Sequence, residues 1–370
     1  MPTFPANPLQ SLSEIHPRYD LGESYGPELR LADLLTPELG DLPLGYGTAQ
    51  GDPALRAAIA AQYDVEPDQV VVTIGAQHAI FLLSFLLADP GSQVITTAPL
   101  FPLARNVCET IGADVEVIPL SFDSGYQVRA DDVRARLTPD TKLVSLASPQ
   151  NPSGVAVPLP VLREISTAMA TVCPEAVLLV DDTYRVAAYG DDSAAQSALV
   201  LGPKVVTTAS LSKCHGSAGL RAGWVISTDP ELVQRLTTAK FSTVVSGSPV
   251  TEALAVRVFE LQDGILAERR QRLADGLAAT AAWVQENAEL VEWVRPDAGA
   301  LCCIRLRPQL DLDRFRSAAA GLGVRLADGE WFTDEPRVFR LGFGYLPPVE
   351  FKAALEALTT ALHKAVVAPD

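Results

Sequence analysis

Basic residues are scarce in this chain: 29 Lys and Arg stand against 45 Asp and Glu, for a formal net charge of −16. So acidic a surface repels the phosphates of nucleic acid and the headgroups of anionic membranes, and neither is an expected partner. A small anionic substrate is not excluded, because one or two local arginines decide that. Histidine is rarer still, with four scattered residues, and the five cysteines (Cys108, Cys173, Cys214, Cys302 and Cys303) are odd in number and lack paired metal spacing. No metal site and no disulfide framework is therefore expected, and the thiols read as reduced residues of a cytoplasmic protein. Met1 to Pro8 has no basic region followed by an apolar run, so no secretory signal is expected. The longest apolar stretch, Ala79 to Ala88, is interrupted by Ser84 and too short to cross a bilayer. Internal repeats and low-complexity tracts are missing as well.

What the chain does have is length and a hydrophobic fraction of 48% over 370 residues, enough for a large core and two domains. Short β-branched runs, Val70 to Ile74, Val94 to Thr97, Val115 to Ile118, Leu143 to Ala147, Val177 to Val180 and the run opening at Val205, alternate with helical stretches between about residues 50 and 245. That alternation predicts an α/β fold with a large, doubly wound, mostly parallel sheet and ligands at the carboxyl ends of its strands. Asp52 reads as an N-cap with Pro53 at the first helical position. From Ser246 to Leu290 the pattern turns helical, and Val291 to Leu306, Val338 to Phe343 and a closing helix from Pro348 to Val366 predict a smaller α+β domain. The predicted organisation is an arm over 1–45, a large domain over 46–250, linking helices over 251–290 and a small domain over 291–370.

Residues suited to chemistry fall at the predicted strand ends. Val205 to Trp224 reads V-V-T-T-A-S-L-S-K-C-H-G-S-A-G-L-R-A-G-W, a buried strand breaking into a loop with one lysine, three glycines and one arginine. An amine in a partly desolvated loop has a lowered pKa and can condense with a carbonyl, so Lys213 is the candidate nucleophile. Ser210 and Arg221 beside it suit a phosphate. Gly75-Ala76-Gln77 joins a strand to a helix, a turn whose free N–H groups favour an anion. Phe101 emerges where it could cover a flat ring or join the core. Asn151 sits in the turn S-P-Q-N-P-S-G, and Asp181, delivered by a buried strand, needs a positive partner. Tyr184 puts a phenol nearby, Tyr46 lies on a glycine-flanked loop, and Arg340 lies in the apolar strand F-R-L-G-F-G, where a carboxylate is its natural partner.

Together these motifs resemble the fold-type I aminotransferases that use pyridoxal 5′-phosphate (PLP), in particular the class I and II branch containing histidinol-phosphate aminotransferase, over nearly the whole chain. S-L-S-K-C-H-G-S-A-G-L-R-A-G-W looks like the family's Schiff-base loop, Q-N-P-S-G like its asparagine turn, D-D-T-Y like its pyridine-nitrogen motif and R-L-G-F-G like its carboxylate-binding strand. The resemblance implies that Lys213 carries the cofactor as an aldimine and moves a proton, that Asp181 pairs with the ring nitrogen, and that Tyr184 and Asn151 bond the ring's phenolic oxygen. It implies that Phe101 stacks on the ring, that Gly75, Ala76, Gln77, Ser210 and Arg221 hold the phosphate, and that Arg340 takes the substrate's α-carboxylate. Tyr46 would reach the active site of a neighbouring subunit, which implies a homodimer. The implied reaction is transfer of an amino group from an amino acid to a keto acid through a pyridoxamine form.

Some stretches depart from the pattern. L-G-E-S-Y-G-P has the shape of the branch's N-E-N-P-Y-G-P entry without its asparagines, and A-D-G-E-W-F replaces the usual Pro-Gly and Phe, so Trp331 alters the substrate side. Asp182 stands for the usual glutamate, and His215 reads as a spacer after Cys214. A second reading follows: elimination and ring closure on a modified amino acid in natural-product biosynthesis, as in capreomycidine synthase-like relatives. A third, a non-catalytic sensor of the aminotransferase type, is disfavoured because the chain has no basic DNA-binding region and keeps Lys213 and Asp181.

Overall fold

Described in a computed structural model over residues 3–14, 16–189 and 196–367, the chain is organised by two sheets. An entering arm contributes the two-residue strand Tyr19–Asp20 (β1). The main sheet follows, built from Val70–Ile74 (β2), Gln93–Ala98 (β3), Asp114–Pro119 (β4), Thr141–Ala147 (β5), Val177–Asp181 (β6), Val205–Ser210 (β7) and Ala222–Ser227 (β8). Its spatial order is β2-β8-β7-β6-β5-β3-β4. The pairs among β3 to β7 are parallel, and β8 runs antiparallel to both β7 and β2. The sheet is thus mainly parallel, and its inner strands are buried on both faces because apolar residues occupy both of their sides, while the edge strand β4 stays partly exposed. Val71, Leu179, Val206 and Val225 pack with the Gly75–Leu87 and Pro230–Val244 helices. Leu178, Val180 and Val205 face the Leu159–Val172 helix, while Val72, Trp224 and Ile226 meet the Pro53–Tyr63 and Pro249–Glu260 helices. Asp52 caps the Pro53–Tyr63 helix through Ala54 N and Leu55 N at 2.8 and 3.0 Å, with Pro53 at its first position.

The second sheet holds Val291–Val294 (β9) and Leu301–Leu306 (β10), then, after the strand Val324–Arg325 (β11) that pairs with β1, Ala327–Asp328 (β12) and Val338–Gly342 (β13), in the order β12-β13-β10-β9. It is packed by the Leu312–Gly321 and Pro348–Ala365 helices and by the 25-residue Gln262–Glu286 helix that arrives from the main sheet. The stretch 291–306, expected as one strand, is two antiparallel strands. Pro296 cannot donate to a ladder and Gly299 takes φ +86°, so the chain turns between them. Strand β8 begins inside what reads in sequence as a loop. The helix after β2 starts at Gly75, so Gly75-Ala76-Gln77, expected as a turn joining strand to helix, is itself the first turn of the helix.

The arm is fastened to the second sheet. Gly342 N donates to Leu21 O at 2.7 Å, and a Cβ on Gly342 would overlap the carbonyl oxygen of Glu23. Asp20 pairs with Arg325, and Arg325 also donates to the carbonyls of Ser11 and Leu12. This docking presents residues 22–27 to the end of the main sheet. Gly342→Ala is therefore expected to cost about 1–3 kcal/mol, the usual range for a side chain forced into a packed contact, read as a lowered denaturant midpoint. It should also release the arm to limited proteolysis at residues 20–27.

Candidate active site

Asp181 ends β6, and its Oδ1 accepts from the Thr183 hydroxyl at 2.6 Å and the Thr183 N–H at 3.1 Å. Burial raises its pKa, against the pull of Thr183 and of the nearby Lys213 cation. An acid held in that state favours a positive partner. Phe101, Asn151 and Asp181 line one cleft at the carboxyl ends of β3, β5 and β6, together with Thr97, Ser145 and Ala147. Lys213 follows β7 at the same end. Its pKa falls to about 8, first through burial, with Arg340 and Arg221 acting in the same direction and Glu23 opposing them. A sizeable neutral fraction near pH 7–8 makes it a usable nucleophile and base.

The helix opening at Gly75 leaves the N–H groups of its first turn without acceptors inside the helix. A Cβ on Gly75 would overlap the Arg221 guanidinium, and a Cβ on Gly223 would overlap the Gly75–Ala76 peptide. Strand β8 and Arg221 therefore press against the helix start and leave a shallow, positively biased cradle. Arg221 itself takes φ +53°. Its NH1 donates to Ala218 O at 3.1 Å and lies 3.5 Å from the hydroxyl of Ser212, whose N–H donates to Ser210 Oγ at 3.3 Å. A phosphate at the cradle, an aldehyde at Lys213 and a basic ring nitrogen at Asp181 match the three parts of PLP. The donor set fits the group.

A chain of side chains then joins Lys213 to the second sheet. Lys213 Nζ and the Tyr184 hydroxyl both lie 3.0 Å from Ser24 Oγ, Asn151 Nδ2 donates to the Tyr184 oxygen at 3.5 Å, and Arg340 NH1 donates to Asn151 Oδ1 at 2.8 Å. Arg340, on β13, also donates to Gly22 O and lies 4.8 Å from the centroid of the Phe332 ring. Its Nε has no protein partner. Ser24 was missed by sequence reasoning, which saw in L-G-E-S-Y-G-P only lost asparagines. Tyr25 was missed as well; its ring lies 5.1 Å below Lys213 Nζ, and its hydroxyl donates to Glu28 at 3.1 Å. The retained Tyr-Gly-Pro turn was the available signal, since it fixes where these neighbours sit. Arg269 carried no such signal, being one of several arginines on an amphipathic helix. It is buried, donates to Pro27 O, and lies so close to Gly26 and Gly216 that a Cβ at either would overlap its guanidinium.

Other singled-out residues lie apart from this cluster. Tyr46 is 89% exposed on its own protomer. His215 turns into the core, its ring 6.0 Å from Phe259, and burial with the Arg269 charge drops its pKa to about 4. Asp182 faces away from Asp181 to meet Arg185 and the Tyr63 hydroxyl. Trp331 and Phe101 pack with Leu9, Ala327 and Phe332 beside the cleft.

The sheet order, the lysine beyond β7 and the cradle at the first helix turn define a PLP-dependent enzyme of the aspartate-aminotransferase-like fold type I. Residues 40–358 match the family model for aminotransferase class I and II, so the chain belongs to that family. Capreomycidine synthase of Streptomyces vinaceus is 29% identical over 340 residues, covering 90% of this chain and 86% of that one. A PLP-dependent aminotransferase from Streptococcus suis superposes with a TM-score of 0.91 at 24% identity, over 99% of this chain and 100% of that one. The PLP-dependent cyclase OrfR superposes with a TM-score of 0.86 at 26% identity, covering 98% and 99%.

Two outcomes follow from the electrostatics. In the cofactor-free protein, acylation of Lys213 by acetic anhydride, followed by peptide mass spectrometry, should reach half its limiting rate near pH 8, against about 10.4 for an ordinary lysine. His215 lies on the other side of neutrality. Its folded pKa is below the unfolded value of about 6.5, so its contribution to stability is complete above that pH and is lost as pH falls toward 4. Thermal unfolding followed from pH 7 to 4.5 should lose about 2–3 kcal/mol through this group, and His215→Phe should remove that part of the slope.

Proposed function

We propose that this enzyme moves the amino group of an α-amino acid to a 2-oxo acid. The observation that carries the reading is the hydrogen-bonded connection between Lys213, an amine titrating near neutral pH, and Arg340, a buried guanidinium. A base and a carboxylate clamp in one connected array suit proton movement at the carbon that bears both an amino and a carboxyl group. When bound, PLP supplies the carbonyl that takes up the amine and the ring that accepts the electron pair released at that carbon.

The chain's own residues then divide the work. Arg340 binds the α-carboxylate and so fixes the orientation of the substrate. Lys213, once free, takes the proton from Cα and later returns one. Asp181 would hold a positive charge at the ring nitrogen, which offsets the cost of its burial. With the cofactor bound, Tyr184 and Asn151 would turn to the ring's phenolic oxygen, and Phe101 would cover the ring. Gly75, Ala76 and Gln77 offer backbone N–H groups to the phosphate, and Ser210 and Arg221 complete that cradle. Tyr46, exposed on its own protomer, reaches the phosphate of a neighbour in a homodimer with shared sites. No helix among the described residues is long and apolar enough to cross a membrane. Five buried free thiols accord with the reducing cytoplasm, where we place the enzyme.

A second reading is favoured by a specific observation: capreomycidine synthase and the cyclase OrfR each match nearly the whole of this chain. The same groups would then serve elimination and ring closure on a modified amino acid. Incubation with single amino acids, without any 2-oxo acid, separates the two. Aminotransfer releases one 2-oxo acid per active site and stops. Cyclisation releases no 2-oxo acid and continues to turn over a substrate that carries a leaving group. Lys213→Ala should lower turnover by about 10²–10⁴-fold or more in either case; a variant as active as the parent would refute the role given to Lys213.

A further inference from the structure

Arg340 fixes how the Asn151 amide is turned, and the Tyr184 bond beyond it runs in the same sense, toward Ser24 and Lys213. Arg340 has donors only, so Asn151 must present Oδ1 to it, at 2.8 Å, and its amide nitrogen to Tyr184. The Tyr184 oxygen then receives the Asn151 N–H, and the phenol directs its own proton to Ser24 Oγ at 3.0 Å. Burial raises the Tyr184 pKa, so that proton stays in place. Ser24 accepts from Tyr184 and is left with one O–H, and its remaining neighbour is Lys213 Nζ at 3.0 Å. Only a neutral amine can accept that proton. An ammonium would donate to the second lone pair of Ser24 and leave the serine proton without an acceptor, on a side chain that is 1% exposed.

We propose that in the cofactor-free chain Ser24 is a positioning residue which, through the donor chain Arg340–Asn151–Tyr184–Ser24, holds the free Lys213 amine as a hydrogen-bond acceptor, in the neutral form that can condense with a carbonyl. Nothing in the family motif supplies this contact, because the entry pattern that the sequence resembles has proline at this position. The inference rests on the reading of Lys213 as the amine that takes up the cofactor's carbonyl, and deepens it. Its consequence is that an arm docked on the second sheet sets the readiness of a lysine carried by the first.

Other charges also face Lys213, and the proposal stands against them. Glu23 and the ring of Tyr25, from the arm, favour the ammonium. Asp181, at the end of β6, also favours it, as does any thiolate character of Cys214 beside it. Arg340 on β13 and Arg221 after β7 favour the neutral form, as does burial. Ser24 adds to this second group a preference that depends on hydrogen-bond direction, which is why removing a neutral hydroxyl should move the titration of the amine.

The test uses the full-length, cofactor-free chain and the pH dependence of Lys213 acylation by acetic anhydride, resolved by peptide mass spectrometry. This reads the amine itself, so it can fail while the aminotransfer reading stands, or hold while that reading falls. Lys240, which is 0% exposed, serves as the internal control, because it stays unlabelled as long as the fold is intact. Ser24→Ala is expected to raise the midpoint by about half to one pH unit, the scale of one modest hydrogen bond, and Ser24→Thr to restore it. Tyr184→Phe breaks the chain one link earlier and should give the same rise, with no further shift in the double variant. An unmoved or lowered midpoint in Ser24→Ala with Lys240 protected, or shifts that add in the double variant, would overturn the proposal. Should Ser24→Ala expose Lys240, Tyr184→Phe alone decides by the same criterion.

Discussion

A guanidinium on a buried strand has few ways to be satisfied, and the arrangement of this active site follows from how Arg340 solves that problem. It reaches the Gly22 carbonyl on the arm and the Asn151 amide in the β5 turn. One cation thereby ties together the second sheet, the entering chain and the main sheet. Removing any of these acceptors would leave a charge in an apolar place, which is far costlier than the loss of an ordinary hydrogen bond. Part of its donor capacity stays unused at Nε, and a site able to take a substrate carboxylate has to keep such capacity.

Close backbone packing forms the opposite wall. Gly75 and Gly223 let β8 and Arg221 approach the first turn of a 13-residue helix, and no side chain larger than hydrogen fits at either place. The electrostatic benefit of a helix start is available to a ligand only if the turn is left uncovered, so the glycines shape the cradle by what they omit. Asp181 illustrates a related constraint. It is held by Thr183 and by little else, and it stays under-compensated until a cation arrives. Its neighbour Asp182, by contrast, already has partners within the chain, the Arg185 guanidinium and the Tyr63 hydroxyl, so the two adjacent acids meet different groups on opposite sides of the strand end.

Much of this was legible in the sequence. Short β-branched runs announced the parallel strands, and of the residues at their ends Asn151 and Asp181 line one cleft, while Tyr184 bonds Asn151 directly and Lys213 is joined to them through Ser24. Legibility failed where position depends on distant contacts. Ser24 drew no attention of its own in the altered entry motif because its partners are 160 and 189 residues away. Strand β8 looked like part of a glycine loop because its pairing with β2 is antiparallel and non-local. Arg269 could not be told from its neighbours, since helical periodicity shows which face is buried without showing which glycines lie opposite. His215, flanked by the lysine loop, drew attention by its chemistry, yet its ring belongs to the core.

The docking of the arm on Gly342 also bears on the order in which the molecule is assembled. The main sheet, with its lysine and its phosphate cradle, can be completed from residues 52–227, whereas Ser24 meets Lys213 only after β13 exists to receive the arm. The first-made part of the chain must therefore wait for nearly the last. A nascent or partly opened molecule would already carry an anion site and a reactive amine, but an amine with no hydroxyl to direct it. The contact between Ser24 and Lys213 is in that sense a property of chain closure, since the arm that carries Ser24 is held by Gly342 and Arg325.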